Sequence, residues 1–298
     1  MPIATLIAAD IFDRDMISAA VESLQNAGCD NAQVQWLENG KAADILFTGD
    51  ILAARNALAR FEGSADIIVQ SEHNRRKMLL ISDMDSTMIT VECIDELADY
   101  AGIKPQIADI TERAMQGELD FAQALTARVA LLAGLDEATI GTCLAERVRP
   151  MPGAEILVKT MAGWGAHTVL VSGGFTHFAR PVAAQIGFAE YEANILAMND
   201  GQLSGRLEGE IVDAAAKRAL LNKRAADRSI AGELILSVGD GANDIPMLQA
   251  AIEGGGVGAS YHAKPKAEAA ANFAVRHNDL TALLYAQGIK KADWWQGA

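Results

Sequence analysis

Two kinds of apolar spacing divide the chain. In residues 1–75 they alternate in short pieces. "ATLIAA" (4–9) reads as a strand. "RDMISAAVESLQNAG" (14–28) has apolar residues at helical spacing and stops at Gly28, a residue suited to a helix C-cap. "AQVQWL" and "ADILFT" are strand-like and are joined by "ENGK", whose Asn-Gly pair favours a hairpin. "ILAARNALARFEG" is helical again and "ADIIVQ" returns to strand. The order βαββαβ predicts a small α+β unit of the split-βαβ kind over residues 1–75. The polar stretch "SEHNRRK" (71–77) reads as a linker to a second unit spanning 76–298.

Beyond the linker the apolar runs are continuous rather than alternating. "MLLIS", "HTVLVS", "LILSV" and the weaker "GGVGA" have the composition of strands buried on both faces, with helical stretches between them. This predicts a doubly wound α/β domain with a parallel sheet. The segment from about 90 to 150 is helix-rich and far longer than the dozen or so residues a crossover requires. It is expected to be an inserted helical cap.

The chemistry sits where the runs stop. "MLLIS" is followed by Asp83-Met-Asp85-Ser-Thr, "TVLV" by Ser172-Gly173-Gly, and "LILSV" by Gly-Asp240-Gly-Ala-Asn243-Asp244. In open α/β sheets ligands bind beyond the carboxyl ends of the strands. Four carboxylates converging there repel one another unless a cation lies among them. Oxygen donors without His or Cys select a hard ion, Mg2+ first among them. Glycines, a hydroxyl and free backbone N–H groups suit phosphate oxygens. Asp83 then has the chemistry of a nucleophile toward phosphorus, and Asp85 that of a general acid and base. A cation such as Lys217 would offset charge on the phosphoryl oxygens.

Composition narrows the alternatives. Half of the 298 residues are hydrophobic and 21% are charged, with a formal charge of −14. That balance argues against nucleic-acid and anionic-membrane partners. Three scattered cysteines form no disulfide framework or zinc site, which fits reduced thiols. The start carries no leader pattern and no run is apolar enough to span a bilayer, so a cytoplasmic protein is expected.

At these residues the chain resembles the haloacid dehalogenase (HAD) superfamily, in its phosphatase branch acting on phosphoserine. "DMDST" is similar to the first motif of that family, Ser172 in "VSGGF" to the second, Lys217 to the third and "GDGAND" to the fourth. The resemblance implies a HAD-like Rossmannoid domain with the 90–150 insertion as its helical cap. It implies Mg2+-dependent hydrolysis of O-phospho-L-serine through an aspartyl-phosphate, the last step of serine biosynthesis. Asp83 would be nucleophile and metal ligand, and Asp85 the acid/base, with its carbonyl on the metal. Asp240 would be a further ligand and Asp244 a support. Ser172 and Gly173 would hold the phosphoryl group, Lys217 would neutralise it, and Asn243 would lie beside the substrate. Glu92 would meet the substrate ammonium and Arg128 its carboxylate. Phe121 and Met115 fall where the family has apolar cap contacts. The N-terminal unit resembles ACT-like regulatory modules in its topology, which implies an amino-acid effector there; a homodimer is a separate expectation.

Each of these residues has a plainer reading when taken singly. The aspartates suit turns and helix caps, Lys217 and Arg128 suit solvated helix faces, and Glu92 suits a first helical turn. Two other functions remain open at this point: a phosphatase or phosphotransferase for another small phosphate, and a non-catalytic amino-acid sensor. "EGGGVG" (253–258) lacks the spacing of a phosphate loop and is expected to be a tight turn into a strand. The tail "DWWQGA" is undecided between packing and fraying.

Overall fold

The computed structural model describes residues 1–12, 14–116 and 118–297, without the side chains of Arg14 and Met115. The N-terminal unit runs β1 (Pro2–Ala8), α1 (Arg14–Asn26), β2 (Asp30–Glu38), β3 (Ala42–Thr48), α2 (Ile51–Leu58) and β4 (Ala65–Ser71). Its sheet has the order β2-β3-β1-β4, and all three pairings are antiparallel. The period-two pattern of the strands supplies two apolar faces. Leu6, Ile45 and Phe47 meet Ala20 and Leu24 of α1 and Ala54 and Leu58 of α2. Asp50 caps α2 by accepting from the amide of Ala53 at 2.8 Å. Ile7, Leu37, Ala42 and Ile68 belong to the same buried cluster as Leu80 and Leu236 of the second unit.

The second unit begins with β5 (Leu79–Ser82) and leaves at once into the insertion: α3 (Cys93–Tyr100), α4 (Lys104–Met115), α5 (Phe121–Ala130) and α6 (Glu137–Arg147). It resumes with α7 (Ala154–Gly163), β6 (His167–Phe175), α8 (Thr176–Ile186), β7 (Glu190–Asn199), β8 (Gln202–Glu208) and α9 (Ala214–Asp227). β9 (Ile235–Gly239), α10 (Ile245–Glu253), β10 (Val257–Tyr261), α11 (Pro265–Ala270), β11 (Phe273–Val275) and α12 (Ala282–Ala286) complete it. The sheet order is β11-β10-β9-β5-β6-β7-β8, parallel except for the β7–β8 hairpin. Successive residues of one strand enter opposite cores. Leu79 and Ile81 lie in one buried cluster and Leu80 in the other, as do Val169 and Val171 against Leu170. That is the doubly wound arrangement the continuous apolar runs predict. β5 is central, and the chain departs from it to β6 on one side and returns to β9 on the other. This reversal makes the crevice at the carboxyl ends of β5, β6 and β9 the place for a ligand.

The two ends of the insertion meet. Ile89 pairs antiparallel with Pro150, Thr90 donates to the carbonyl of Arg149, and Met151 donates to that of Met88. On its far side the cap is tied to the hairpin by reciprocal backbone bonds between the 134–135 segment and Leu203.

Several details differ from the sequence reading. Within the helix-rich insertion α4 and α5 are separate helices, because Asp120 and Gln123 form a capping box that starts α5 afresh. β7, β8 and β11 are strands beyond the four read from sequence; β7 and β8 are half-exposed and β11 has three residues. The 71–77 stretch is more than a solvated linker. Arg75 pairs with Asp44 at 2.8 Å and Lys77 is buried against the carbonyls of Asn74 and Glu233. "EGGGVG" is the turn into β10, and the tail packs, with the Trp294 ring tilted against Tyr285 at 4.8 Å between centroids. No described helix is long and apolar enough to cross a membrane.

Candidate active site

The carboxyl ends of β5, β6 and β9 open into a cavity of about 320 Å³ roofed by the cap. Asp83 follows β5 directly and its amide donates to Val238 of β9 at 3.0 Å, so it stands between the two strands. Its Oδ1 accepts from Nζ of Lys217 at 2.7 Å, and the same ammonium reaches Oδ1 of Asp244, also at 2.7 Å. Asp244 turns its other oxygen back onto the amides of Asp240 and Gly241. Asp240 accepts from the hydroxyl of Thr87 at 3.1 Å.

Asp83, Asp240 and Asp244 bring carboxylate oxygens within 4.8 Å of one another, all buried. One lysine cannot balance three carboxylates. Burial, with Asp244 adding to it, pushes the Asp83 carboxyl well above the usual range, against the pull of Lys217. Burial and Asp244 also raise Asp240. Burial disfavours the Lys217 ammonium, but Asp83 and Asp244 outweigh it and hold the proton on. A hard divalent cation would relieve this cluster, and its donors are all oxygen. Both oxygens of Asp244 are already engaged by protein donors, which leaves Asp83 and Asp240 facing the cavity.

Asp85 is held separately. Its Oδ1 accepts from the Cys93 amide, the first residue of α3, at 2.8 Å, and its Oδ2 accepts from Ser172 Oγ at 3.0 Å. Burial raises its pKa, while the amide and the hydroxyl pull the other way. Ser172 Oγ accepts in turn from the amide of Gly174. Small residues are required here. A Cβ at 174 would lie 2.9 Å from Asp85 Oδ2, and one at 173 would lie 3.1 Å from the ring of Phe121 in the cap. Asn194 of β7 fixes the same loop by donating to the carbonyl of Gly173 and accepting from the amide of Val212.

The cap supplies the walls. Phe121, Leu125 and Arg128 recur at helical spacing along α5 and all face the cavity. The described contact of the Arg128 guanidinium is a 3.4 Å bond from Nε to the carbonyl of Ala124, one turn back. Glu92 precedes α3 and accepts from Ser86 Oγ at 2.7 Å; burial and then Asp85 raise its carboxyl to about 7.

The cavity thus gathers Asp83, Asp85, Glu92, Arg128, Gly173, Asp240 and Asn243. Ser172, Lys217 and Asp244 sit behind it and act on its lining. Phe121 is in place, and the Met115 side chain lies outside the described residues. Asp95, Thr111, Lys264 and the Cys93 amide belong to the site or its support without having been singled out from sequence, whereas Thr87 closes the first motif. For Lys264 the signal was the fixed turn before Pro265; Asp95 and Thr111 are ordinary helix residues until the cap is folded.

An aspartate pair after the first strand, a buried lysine and an acidic loop after a third strand define a hydrolase class built on this fold. The family model of haloacid dehalogenase-like hydrolase matches residues 80–249, and the chain belongs to this family. It is similar to phosphoserine phosphatases. It is 41% identical over 211 residues to that of Albidiferax ferrireducens, covering 69% of this chain and 87% of the relative. It is 42% identical over 227 residues to that of Streptomyces coelicolor, covering 76% of this chain and 54% of the relative, so it spans about half that protein's length. The crystal structure of a probable phosphoserine phosphatase from Vibrio cholerae, unliganded, matches with a TM-score of 0.77 and 30% identity over 98% of this chain and 88% of that one.

Proposed function

We propose that the protein is a Mg2+-dependent phosphomonoester hydrolase that converts O-phospho-L-serine to L-serine and phosphate. The observation that carries this reading is one cavity holding three aspartates, Asp83, Asp85 and Asp240, at its floor and an acid and an arginine, Glu92 and Arg128, on its walls. Serine phosphate has the complementary ammonium and carboxylate, and guanidinium binds carboxylate through two parallel hydrogen bonds.

Asp83 attacks phosphorus and the bond to the serine oxygen breaks. Asp85, protonated more readily than an exposed aspartate, gives its proton to that oxygen. The aspartyl-phosphate then meets water. Asp85 takes the water proton, the hydroxide attacks phosphorus, and Asp83 leaves as carboxylate. The Gly173–Gly174 loop faces the charge that spreads over the equatorial oxygens, while Lys217 acts from behind through Asp83 and Ser172 through Asp85. Asp83, the Asp85 carbonyl and Asp240 would hold Mg2+, which when bound supplies charge neutralisation for the phosphate and for the buried carboxylates.

Phosphate release should be followed with O-phospho-L-serine and with p-nitrophenyl phosphate, in Mg2+ and in EDTA. Wild type is expected to prefer phosphoserine and to need the metal. Asp83→Asn should lose turnover of both substrates by about a thousandfold or more. Arg128→Ala should lose about 2 kcal/mol of transition-state binding for phosphoserine and little for p-nitrophenyl phosphate. Equal losses on both substrates would remove the assignment of Arg128 to the carboxylate.

A further inference from the structure

The N-terminal sheet is docked on the catalytic unit at the segment that follows β11. Asp66 of β4 is fully buried and accepts from three consecutive backbone amides, those of Arg276, His277 and Asn278, at 2.7–3.1 Å. It also accepts from the side-chain amide of Asn278 at 2.8 Å. The carbonyls of Ile7 and Glu62 take further bonds from Asn278 and His277. Residues 276–278 are thereby held by the other unit.

The carbonyl of Asn278 faces Nε2 of His262 at 2.9 Å. A carbonyl only accepts, so that nitrogen carries the proton and donates. The His262 amide donates to Val275 at 2.9 Å, and its ring lies edge-on to Tyr261 with centroids 4.5 Å apart. Its φ is +41°, a left-handed conformation that a non-glycine residue holds only when its surroundings impose it. This turn, at the end of β10, redirects the chain so that the Lys264 amide donates to the main-chain carbonyl of Asp240 at 3.0 Å. The Lys264 side chain lines the cavity beside Glu92 and Asp240.

We propose that His262 is a positioning residue through which the docked N-terminal sheet, by way of Asp66 and Asn278, fixes the main chain that holds Asp240 and Lys264 at the active site. The inference rests on the reading of Asp240 as a metal-facing carboxylate. It makes the N-terminal unit a structural part of the catalytic rim.

The test uses the full chain and two readouts, amide hydrogen exchange at Lys264 and Mg2+ binding by calorimetry. His262→Ala and Asp66→Asn should each speed exchange of the Lys264 amide about tenfold or more, because local opening is eased. Each should weaken Mg2+ about three- to tenfold, as the loss of outer support to a ligand does. The double variant should be no worse than the worse single one, and His262→Gln, which keeps an N–H at similar reach, should recover most of both effects. His262 is exposed, so its replacement carries the test if Asp66→Asn does not fold. Unchanged Lys264 exchange in His262→Ala, or fully additive effects in the double variant, would overturn the proposal. If wild type releases no phosphate at all, the functional reading falls, and the exchange readout still decides the relay.

Discussion

Lys217 Nζ stands 2.7 Å from the carboxylate of Asp83, with 1% of the lysine exposed. The same ammonium holds Asp244, so a single positive charge keeps two buried acids in place. Lys217→Met should therefore cost about 3–5 kcal/mol of stability in the absence of metal, since it leaves uncompensated buried carboxylates. Urea unfolding in EDTA measures this, and the paired variant Lys217→Met/Asp244→Asn should recover part of the loss. A cost under about 1 kcal/mol would mean that water reaches the cluster and screens it.

Gly174 has no room for a side chain. The nearest atom to an added Cβ would be Asp85 Oδ2 at 2.9 Å, with Ser172 Oγ at 3.0 Å. Gly174→Ala is expected to displace the carboxylate of Asp85, the proposed acid and base, and lower kcat about a hundredfold or more. The fold should survive, because Asp85 borders an open cavity. Near-normal kcat in a folded variant would show that Asp85 tolerates the shift.

Glu92 titrates at about 7, raised by burial and then by Asp85. Only its ionised form pairs with a substrate ammonium, so it is progressively lost as pH falls from 8 to 6. KM for phosphoserine should rise over that interval, relative to p-nitrophenyl phosphate, which has no ammonium. Glu92→Gln should have a high KM throughout and no such dependence. Parallel pH profiles for the two substrates in wild type would sink the assignment.

Lys77 supplies a stability signature far from the catalytic chemistry. Burial pulls its pKa down to about 8, against the nearby carboxylate of Glu233. An unfolded lysine titrates at about 10.4. Between those values the unfolded chain binds more protons, so stability rises with pH across the window and is lost as pH falls through 8. Denaturation of wild type and Lys77→Met between pH 7.5 and 10.5 should show wild type gaining on the variant by up to about 1.4 kcal/mol per pH unit. Curves that stay parallel would place the Lys77 ammonium in contact with water.

The floor of the site was legible in the chain because it is local. Asp83, Ser172 and Asp240 each follow the end of a continuous apolar run, and strand ends of an open α/β sheet converge by topology alone. Glu92 and Arg128 needed the family resemblance, because an acid before a helix and an arginine on one have no signature of their own. The supports were out of reach for a different reason. Asn194 joins Gly173 to Val212, and Asp66 joins 276–278, only after units distant in sequence have docked. The hairpin strands β7 and β8 hid because half-exposed strands mix polar and apolar residues without a clean period.

The pairing of Ile89 with Pro150 closes the neck of the insertion. Because the chain leaves and rejoins the α/β unit at one point, the sheet, its aspartates and Lys217 would be continuous without the helices between. The insertion is nevertheless not independent of the floor, because its first helix orients Asp85 through the Cys93 amide. Under the proposed function, another helical insertion in place of residues 91–149 would redirect the aspartate pair to a different phosphate only if it kept a backbone donor to Asp85 where the Cys93 amide now stands.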